Sequence, residues 1–334
     1  MDHWSRRQFV QAAGVAGLGL VAGCGRLPWQ APPSAAKVHR IAFLTANPPS
    51  VVNDARMSAF QQGMRALGYA EGQNLLIEHH YASSFDRLAD PTAELVRLQP
   101  DVILVGASQV ARAALAATTT IPIVSAGVGD LVALGLAASH GRPGGNVTGL
   151  STPDLIGKQL QLLQEAVPTL ARVAVLFDTT VEAQRMLREP YEAAARILGL
   201  QVQFVGASGP ADLEPVFEAA TREHADGVFV LAGPVAVSNQ SRIAELAVQS
   251  GLPSMWPQSE AAEGGGLMAY APNTADLFRR AAYFVDRILK GTRPADIPIE
   301  QPMTFDFVIN LRTAQALGLT IPPHVLLQAT EVIQ

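Results

Sequence analysis

Short apolar runs rich in β-branched residues alternate along the chain with stretches that repeat polar and apolar residues at helical spacing. In the first half, the apolar runs that predict strands are HRIAFLTA at 39–46, LLIEHHY at 75–81, DVILVGAS at 101–108 and IPIVSAGVG at 121–129. The stretches between them predict helices at 54–67, 85–98 and 109–117. Near-continuous apolar runs are typical of strands buried on both faces of a parallel sheet. The alternation therefore predicts an α/β fold with a doubly wound parallel sheet.

A segment rich in turn-forming residues, HGRPGGNVTGLST at 140–152, interrupts this alternation. Afterwards the alternation resumes, with the strand-like runs RVAVLFDT, LQVQFVGA, DGVFVLAG, LPSMWP and GLMAYA and helical patterns around 181–198, 211–223 and 239–250. The glycines at 144–145 are not followed by the lysine of a phosphate-binding loop, so a crossing between two bodies is the better interpretation. The pattern predicts two doubly wound α/β lobes with a ligand cleft between them.

Ligands of open α/β sheets bind beyond the carboxyl ends of the strands. We therefore expect the ligand at the loops that follow the predicted strands, which are 45–53, 106–109, 126–130, 177–181, 232–238, 256–258 and 270–273. A hydroxyl and free N–H groups at a helix start could hold a carboxylate, an aspartate could accept from an amine, and an aromatic ring could stack on a flat ligand. Plain helix capping and core packing are the alternatives. The candidates on this basis are Thr45, Asn47, Ser108, Gln109, Asp130, Phe177, Asp178, Trp256 and Asn273.

The N-terminus reads SRRQFVQAAGVAGLGLVAGCGR at 5–26 and contains the only cysteine, Cys24. A positive start, an apolar core and small residues at the end are the signature of a signal peptide. That core is shorter than the roughly 20 residues of a membrane-spanning helix. VAGC resembles a bacterial lipobox and SRRQF resembles the twin-arginine export motif. We expect a signal peptide at 1–23, a lipidated Cys24 and a Pro/Ala-rich tether at 24–37, with a cleaved soluble form or an uncleaved anchor as alternatives.

Composition narrows the function classes. Hydrophobic residues make up 49% of the chain and charged residues 16%, with a net charge of −5. No run of Lys and Arg offers a footprint for nucleic acid. The sequence contains no G-x-S-x-G element, which disfavours a hydrolase, and His79 and His80 point to opposite faces of a predicted strand. We therefore expect neither metal nor cofactor.

Several long phrases resemble one known family. LGYAEGQNLLIEHHYA, FDRLADPTAELVRLQPDVILV, TTTIPIVSAGVGDLVALGL and EGGGLMAYAPNTADLFRRAAYFVDRILKGTRPADIPIEQP are similar to segments of ABC transporter substrate-binding proteins, typified by tryptophan-binding lipoproteins. The resemblance extends over 38–333. It implies a type I periplasmic-binding-protein fold, with a first lobe at 38–149 and 274–300 and a second at 150–273 and 301–334.

The resemblance also implies a function. It indicates an extracytoplasmic, lipid-anchored receptor in the periplasm or cell envelope that captures a small molecule, such as an amino acid, without catalysis. Its implied partners are an ABC permease and the associated ATPase. A receptor for a membrane signalling protein and an exported α/β enzyme remain alternatives. A sugar-responsive repressor is disfavoured, because a signal peptide stands where a DNA-binding helix-turn-helix would be.

Overall fold

The computed structural model describes residues 37–46, 51–83, 85–181, 184 and 188–334. The predicted signal peptide, Cys24, most of the tether and Asn47 lie outside these residues. Over the described part of the chain, no helix has both the length and the apolar character needed to cross a membrane.

Strands and helices alternate as the apolar runs predict. The described strands are β1 (His39–Thr45), β2 (Leu75–Tyr81), β3 (Val102–Val105), β4 (Ile123–Val128), β5 (Val147–Ser151), β6 (Arg172–Asp178), β7 (Gln201–Ala207), β8 (Gly227–Val230), β9 (Ser254–Trp256), β10 (Met268–Pro272), β11 (Phe305–Asn310) and β12 (Glu331–Ile333). The described helices are α1 (Val51–Ala66), α2 (Ala89–Arg97), α3 (Ser108–Ala117), α4 (Ile156–Ala166), α5 (Arg188–Leu198), α6 (Leu213–Arg222), α7 (Pro234–Ser238), α8 (Gln240–Gln249), α9 (Ser259–Glu263), α10 (Thr274–Leu289), α11 (Leu311–Ala316) and α12 (Pro323–Leu326). Short 3₁₀ turns lie at Phe85–Arg87, Pro210–Asp212 and Pro294–Asp296.

The first sheet is entirely parallel, in the order β2-β1-β3-β4-β5. All four residues of β3 are buried, as its apolar sequence requires for a strand covered on both faces. One face packs with Phe60 and Phe278, and the other packs with Leu95 and Val110. We call this sheet, with α1, α2, α3 and α10, lobe 1.

The second sheet has the order β12-β11-β10-β9-β8-β6-β7. Its segment β7-β6-β8-β9-β10 repeats the strand order of the first sheet, and β11 is added antiparallel to β10. The two faces bury separate clusters, one around Phe229 and Met255 and one around Phe217 and Ile243. We call this sheet, with the remaining helices, lobe 2. The prediction of two doubly wound α/β lobes is confirmed.

Helix α10 follows strand β10 of lobe 2 but packs on lobe 1. Its Phe278 contacts the cluster that contains Phe60 and Val124. Gly63 on α1 allows the two helices to approach closely, because a Cβ there would lie 2.5 Å from the carbonyl oxygen of Arg279. The chain therefore passes between the sheets at 151–156, 272–274 and 300–305, and both lobes contain residues from distant parts of the sequence.

The segment predicted as a turn at 140–152 contains strand β5 (Val147–Ser151), so that prediction was wrong for these five residues. Gly149 has φ of 122°, and a Cβ at this position would lie 2.3 Å from the carbonyl oxygen of Ser125 on β4. The glycine is present because two strands approach closely there, not because the chain turns.

Candidate functional site

A cavity of about 340 Å³ lies between the two lobes, within the range of small-molecule sites. Ala46 lines it directly after β1, and the remaining lining residues follow β2, β3, β8 and β9 or lie on α1. From lobe 1 these are Arg56, Ser83, Phe85, Gly106, Ala107 and Gln109. From lobe 2 they are Ala232, Gly233, Pro234, Val237, Ser238 and Gln258. The cavity is thus bounded by the carboxyl ends of strands from both sheets.

Arg56 is the charged residue on the cavity wall. Its Nε atom is shielded from solvent and has no hydrogen-bond partner among the described residues. Burial lowers the pKa of the Arg56 guanidinium, and the negative charge of Glu260 on α9 opposes this effect. Because a shielded donor of a cation costs free energy when it has no partner, an anionic group in the cavity would satisfy this atom.

Two helices begin at the cavity, one from each lobe. Helix α3 begins after Ala107, which is extended and makes no side-chain capping hydrogen bond. Helix α7 begins after Gly233, and there a carboxylate oxygen of Asp178 accepts a hydrogen bond of 3.0 Å from the Val235 amide. The first turn of α7 therefore has a protein acceptor, whereas that of α3 has no side-chain cap.

Asp178 lies behind the cavity wall rather than on it. It is buried, and its carboxylate also accepts hydrogen bonds from the backbone and hydroxyl groups of Thr180. Gln184 accepts from the Asp178 amide at 2.7 Å and donates to the Ala232 carbonyl at 2.8 Å. This network holds the loop before α7 in place, so the contacts of Asp178 favour a capping role.

Ser108, the first residue of α3, and Asp130, which follows β4, belong to neighbouring segments of lobe 1. The Ser108 hydroxyl points towards Gly129, where an added Cβ would lie 3.4 Å from it, while the flanking Ala107 and Gln109 line the cavity. Asp130 accepts hydrogen bonds from the amides of Val132 and Ala133 at 2.9 and 3.1 Å. Asp130 thus caps a turn rather than a helix, because no helix lies between β4 and β5 in the described segment 129–146.

The aromatic candidates are placed away from the cavity. Trp256 is 2% exposed, and its Nε1 donates to the Ser254 hydroxyl at 2.9 Å. Phe177 packs against the lobe 2 core. The aromatic ring that does line the cavity is Phe85, in a short 3₁₀ turn after β2.

Asn273 and Thr45 also lie off the cavity lining. Asn273 caps α10 by accepting from the Asp276 amide at 2.8 Å and donates to Asp306 at 3.0 Å. Thr45 is buried at the end of β1, where its carbonyl accepts from the Ala82 amide at 2.9 Å. Among the sequence-based candidates that the structure describes, Gln109 is the one that lines the cavity.

Sequence reasoning missed Arg56, Phe85 and Gln258. Gln258 lay in a loop expected at the cleft, so the strand-end rule carried a signal for it. Arg56 carried no comparable signal, because an arginine on an amphipathic helix normally marks its solvent face. Across the described residues, no group of three or more His, Cys, Asp or Glu could hold a metal ion.

Comparison with known proteins identifies the family. The profile of the ABC transporter substrate binding protein family matches residues 49–333. The chain belongs to this family. The resemblance inferred from the sequence is thereby confirmed. The members of this family are solute-binding proteins.

Individual relatives of this substrate-binding protein extend over most of the chain. The Tyrosine-binding protein of Clostridioides difficile (strain R20291) is 24% identical over 267 residues, which are 80% of this chain and 77% of that protein. An ABC domain in complex with L-Trp from Streptococcus pneumoniae has a TM-score of 0.80 and 25% identity, covering 89% of this chain and 100% of its own. A conserved domain protein from Vibrio cholerae has a TM-score of 0.81 and 26% identity over the same shares. The type I periplasmic-binding-protein fold is confirmed.

Proposed function

We propose that this protein is the extracytoplasmic solute receptor of an ABC importer and that it captures an amino acid by closing its two lobes. The observation that carries the proposal is the cavity between the lobes, bounded by strand ends from both sheets. A ligand that contacts both walls binds the closed form more tightly than the open form and shifts the population towards it. The permease would then recognise the closed form.

An aromatic or branched amino acid is the ligand class that the lining favours. Arg56 supplies a positive charge for a carboxylate, and Phe85 supplies an aromatic surface. A relative that binds tyrosine and a structural neighbour in complex with L-Trp support this class. Micromolar affinity requires about −8 kcal/mol, which charge-assisted contacts and one buried ring supply after ordering costs.

Calorimetry on the full chain in mild detergent tests the proposal. We expect one of the aromatic or branched amino acids to bind with micromolar affinity and negative heat-capacity change, because apolar surface is buried. Mass spectrometry of the released ligand should recover it unchanged. Tight binding of a neutral sugar without response to any amino acid would contradict the ligand class, and conversion of the ligand would favour the enzyme alternative.

Uptake distinguishes the importer from a receptor for a membrane signalling protein. Deletion of the gene should abolish high-affinity uptake of the ligand if the protein feeds a permease and its ATPase. Normal uptake in the deletion strain would favour the signalling alternative.

We further propose that Cys24 carries the lipid anchor after export, with the twin-arginine route as the proposed path. Cys24→Ser should release the protein from the membrane fraction or arrest its processing. Normal processing and membrane attachment of this variant would exclude the anchor. Arg6 and Arg7 changed to Lys should impair export through the twin-arginine route.

A further inference from the structure

Two opposite charges approach the cavity from different lobes. Arg56 lines it from α1 in lobe 1. Glu260 is the second residue of α9 in lobe 2 and is partly buried. It is not a lining residue itself but lies two positions after the lining residue Gln258. Among the described residues no hydrogen bond joins the two side chains, and Glu260 acts on Arg56 through its charge. The space between the lobes therefore separates a cation from an anion.

The other carboxylates near the strand ends already have partners. Asp178 accepts from the Val235 amide and from Thr180, and Asp130 accepts from two backbone amides of its own turn. Apart from Arg56, the residues that line the cavity are uncharged. Arg56 is thus the charge on the cavity wall, and Glu260, next to that wall, is the lobe 2 carboxylate whose charge acts on Arg56.

We propose that Arg56 holds the carboxylate and Glu260 the ammonium of a zwitterionic α-amino acid, so that the ligand completes a charge bridge between the lobes. The inference rests on the proposed function and specifies recognition at the same site. A guanidinium presents paired N–H donors that match a carboxylate, and a carboxylate accepts from an ammonium. Because both charges would be shielded from water in the closed form, a ligand lacking either group leaves one protein charge unpaired.

Two sets of three probes test the bridge by calorimetry. The aromatic set is L-tryptophan, tryptamine without the carboxylate and indole-3-propionate without the ammonium. The branched set is L-leucine, 3-methylbutylamine and 4-methylpentanoate. The unmodified protein should bind the amino acid of at least one set about 100-fold more tightly than either analogue, since each analogue loses a charge-assisted contact.

The variants should fail selectively. Arg56→Gln should lower the affinity for the amino acid about tenfold or more but change the affinity for the amine analogue by less than about threefold. Glu260→Gln should lower the affinity for the amino acid by a similar factor but leave the affinity for the carboxylic-acid analogue nearly unchanged. Arg65→Gln, exposed on the same helix, and Glu263→Gln, exposed on α9, are matched controls that should bind normally. Arg56→Lys keeps the charge and should recover part of the affinity. Circular dichroism and melting temperature confirm that each variant is folded.

The outcomes separate this inference from the proposed function. Equal weakening of all three probes in both variants would show that Arg56 and Glu260 contact each other on closure, which overturns the bridge. Normal amino-acid binding by both variants would also overturn it while leaving the receptor function intact. Binding of none of the six probes by the unmodified protein would refute the proposed ligand class together with the bridge.

Discussion

The two walls of the cavity are built from equivalent strands and helices but differ in their charged side chains and in how the first turn of the helix is capped. In lobe 1 the buried strand β3 leads through Gly106 into α3, and in lobe 2 the buried strand β8 leads through Gly233 into α7. In lobe 2, the Asp178 carboxylate accepts a hydrogen bond from the first turn of α7. Among the described residues of lobe 1, no side chain caps α3, and Arg56 lies on the same wall. The same strand order therefore yields one wall whose helix start has a protein acceptor and one on which Arg56 Nε has no partner among the described residues.

Removing the cap of lobe 2 should produce the largest effect on stability. Asp178→Ala leaves the buried Val235 amide without its acceptor, and we expect a loss of about 2–3 kcal/mol in the free energy of unfolding. Denaturant titration measures this, and Asp178→Asn should lose less because one oxygen acceptor remains. Unchanged stability combined with lost ligand binding would instead support the sequence-based prediction of a ligand contact.

The two glycines offer a second comparison between the walls. A Cβ at Gly233 would lie 2.7 Å from Gln184 Nε2, whereas a Cβ at Gly106 would lie 3.0 Å from the tip of Phe278. Gly233→Ala should therefore disturb the hydrogen bond from Gln184 to Ala232 and cost about 1–2 kcal/mol. We expect Gly106→Ala to cost less in the same denaturant titration. The reverse order would show that the Gln184 network is not what holds the lobe 2 wall.

Arg56 should behave in the opposite way to Asp178. Arg56→Met removes a partly buried cation whose Nε has no partner among the described residues, so the ligand-free protein should gain up to about 1 kcal/mol in stability while losing ligand affinity. Arg65→Met on the exposed face of the same helix provides the control. Destabilisation of the ligand-free protein by Arg56→Met would show that its packing outweighs its charge.

Buried apolar runs made the sheets predictable from the sequence. The described bounds of β2 coincide with the predicted run at 75–81, and β3 lies within its predicted run. Strand β5 was not predicted because Gly149 is a residue type common in turns, whereas here it allows close contact with β4. The return of α10 to lobe 1 could not follow from local pattern either, since local periodicity does not specify which sheet a helix covers.

The candidate site was predictable at the level of loops but not of side chains. Residues at 106–109, 232–238 and 256–258 were expected at strand ends, and each segment contributes to the cavity lining. Trp256 itself is buried because its strand is covered on both faces, so alternation along the strand does not expose it. Which polar side chain is committed to the backbone, as Asp178 is, depends on tertiary contacts between distant elements.

The smallest expected effect on stability is that of a substitution at Asp130. Asp130 follows strand β4 of lobe 1, and Glu260 follows the equivalent strand, β9, of lobe 2. Hydrogen bonds from the amides of Ala133 and Val132, together with the nearby His140, hold the pKa of the Asp130 carboxyl below its usual value. A lowered pKa means that the unfolded chain binds the proton more readily. The contribution to stability is therefore present above the unfolded pKa of about 3.9 and is lost as pH falls through the lower, folded pKa.

In Asp130→Asn, the free energy of unfolding should fall less steeply between about pH 5 and pH 3 than in the unmodified protein, as measured by denaturant titration. The change should be modest, because the side chain is 40% exposed and solvent screens its charge. Amino-acid affinity at neutral pH should remain unchanged, in contrast to Glu260→Gln, because Asp130 is committed to its own turn. A tenfold loss of affinity in Asp130→Asn would contradict this assignment, since it would mean that lobe 1 supplies the acceptor for the ligand ammonium and that the charge bridge does not extend to Glu260.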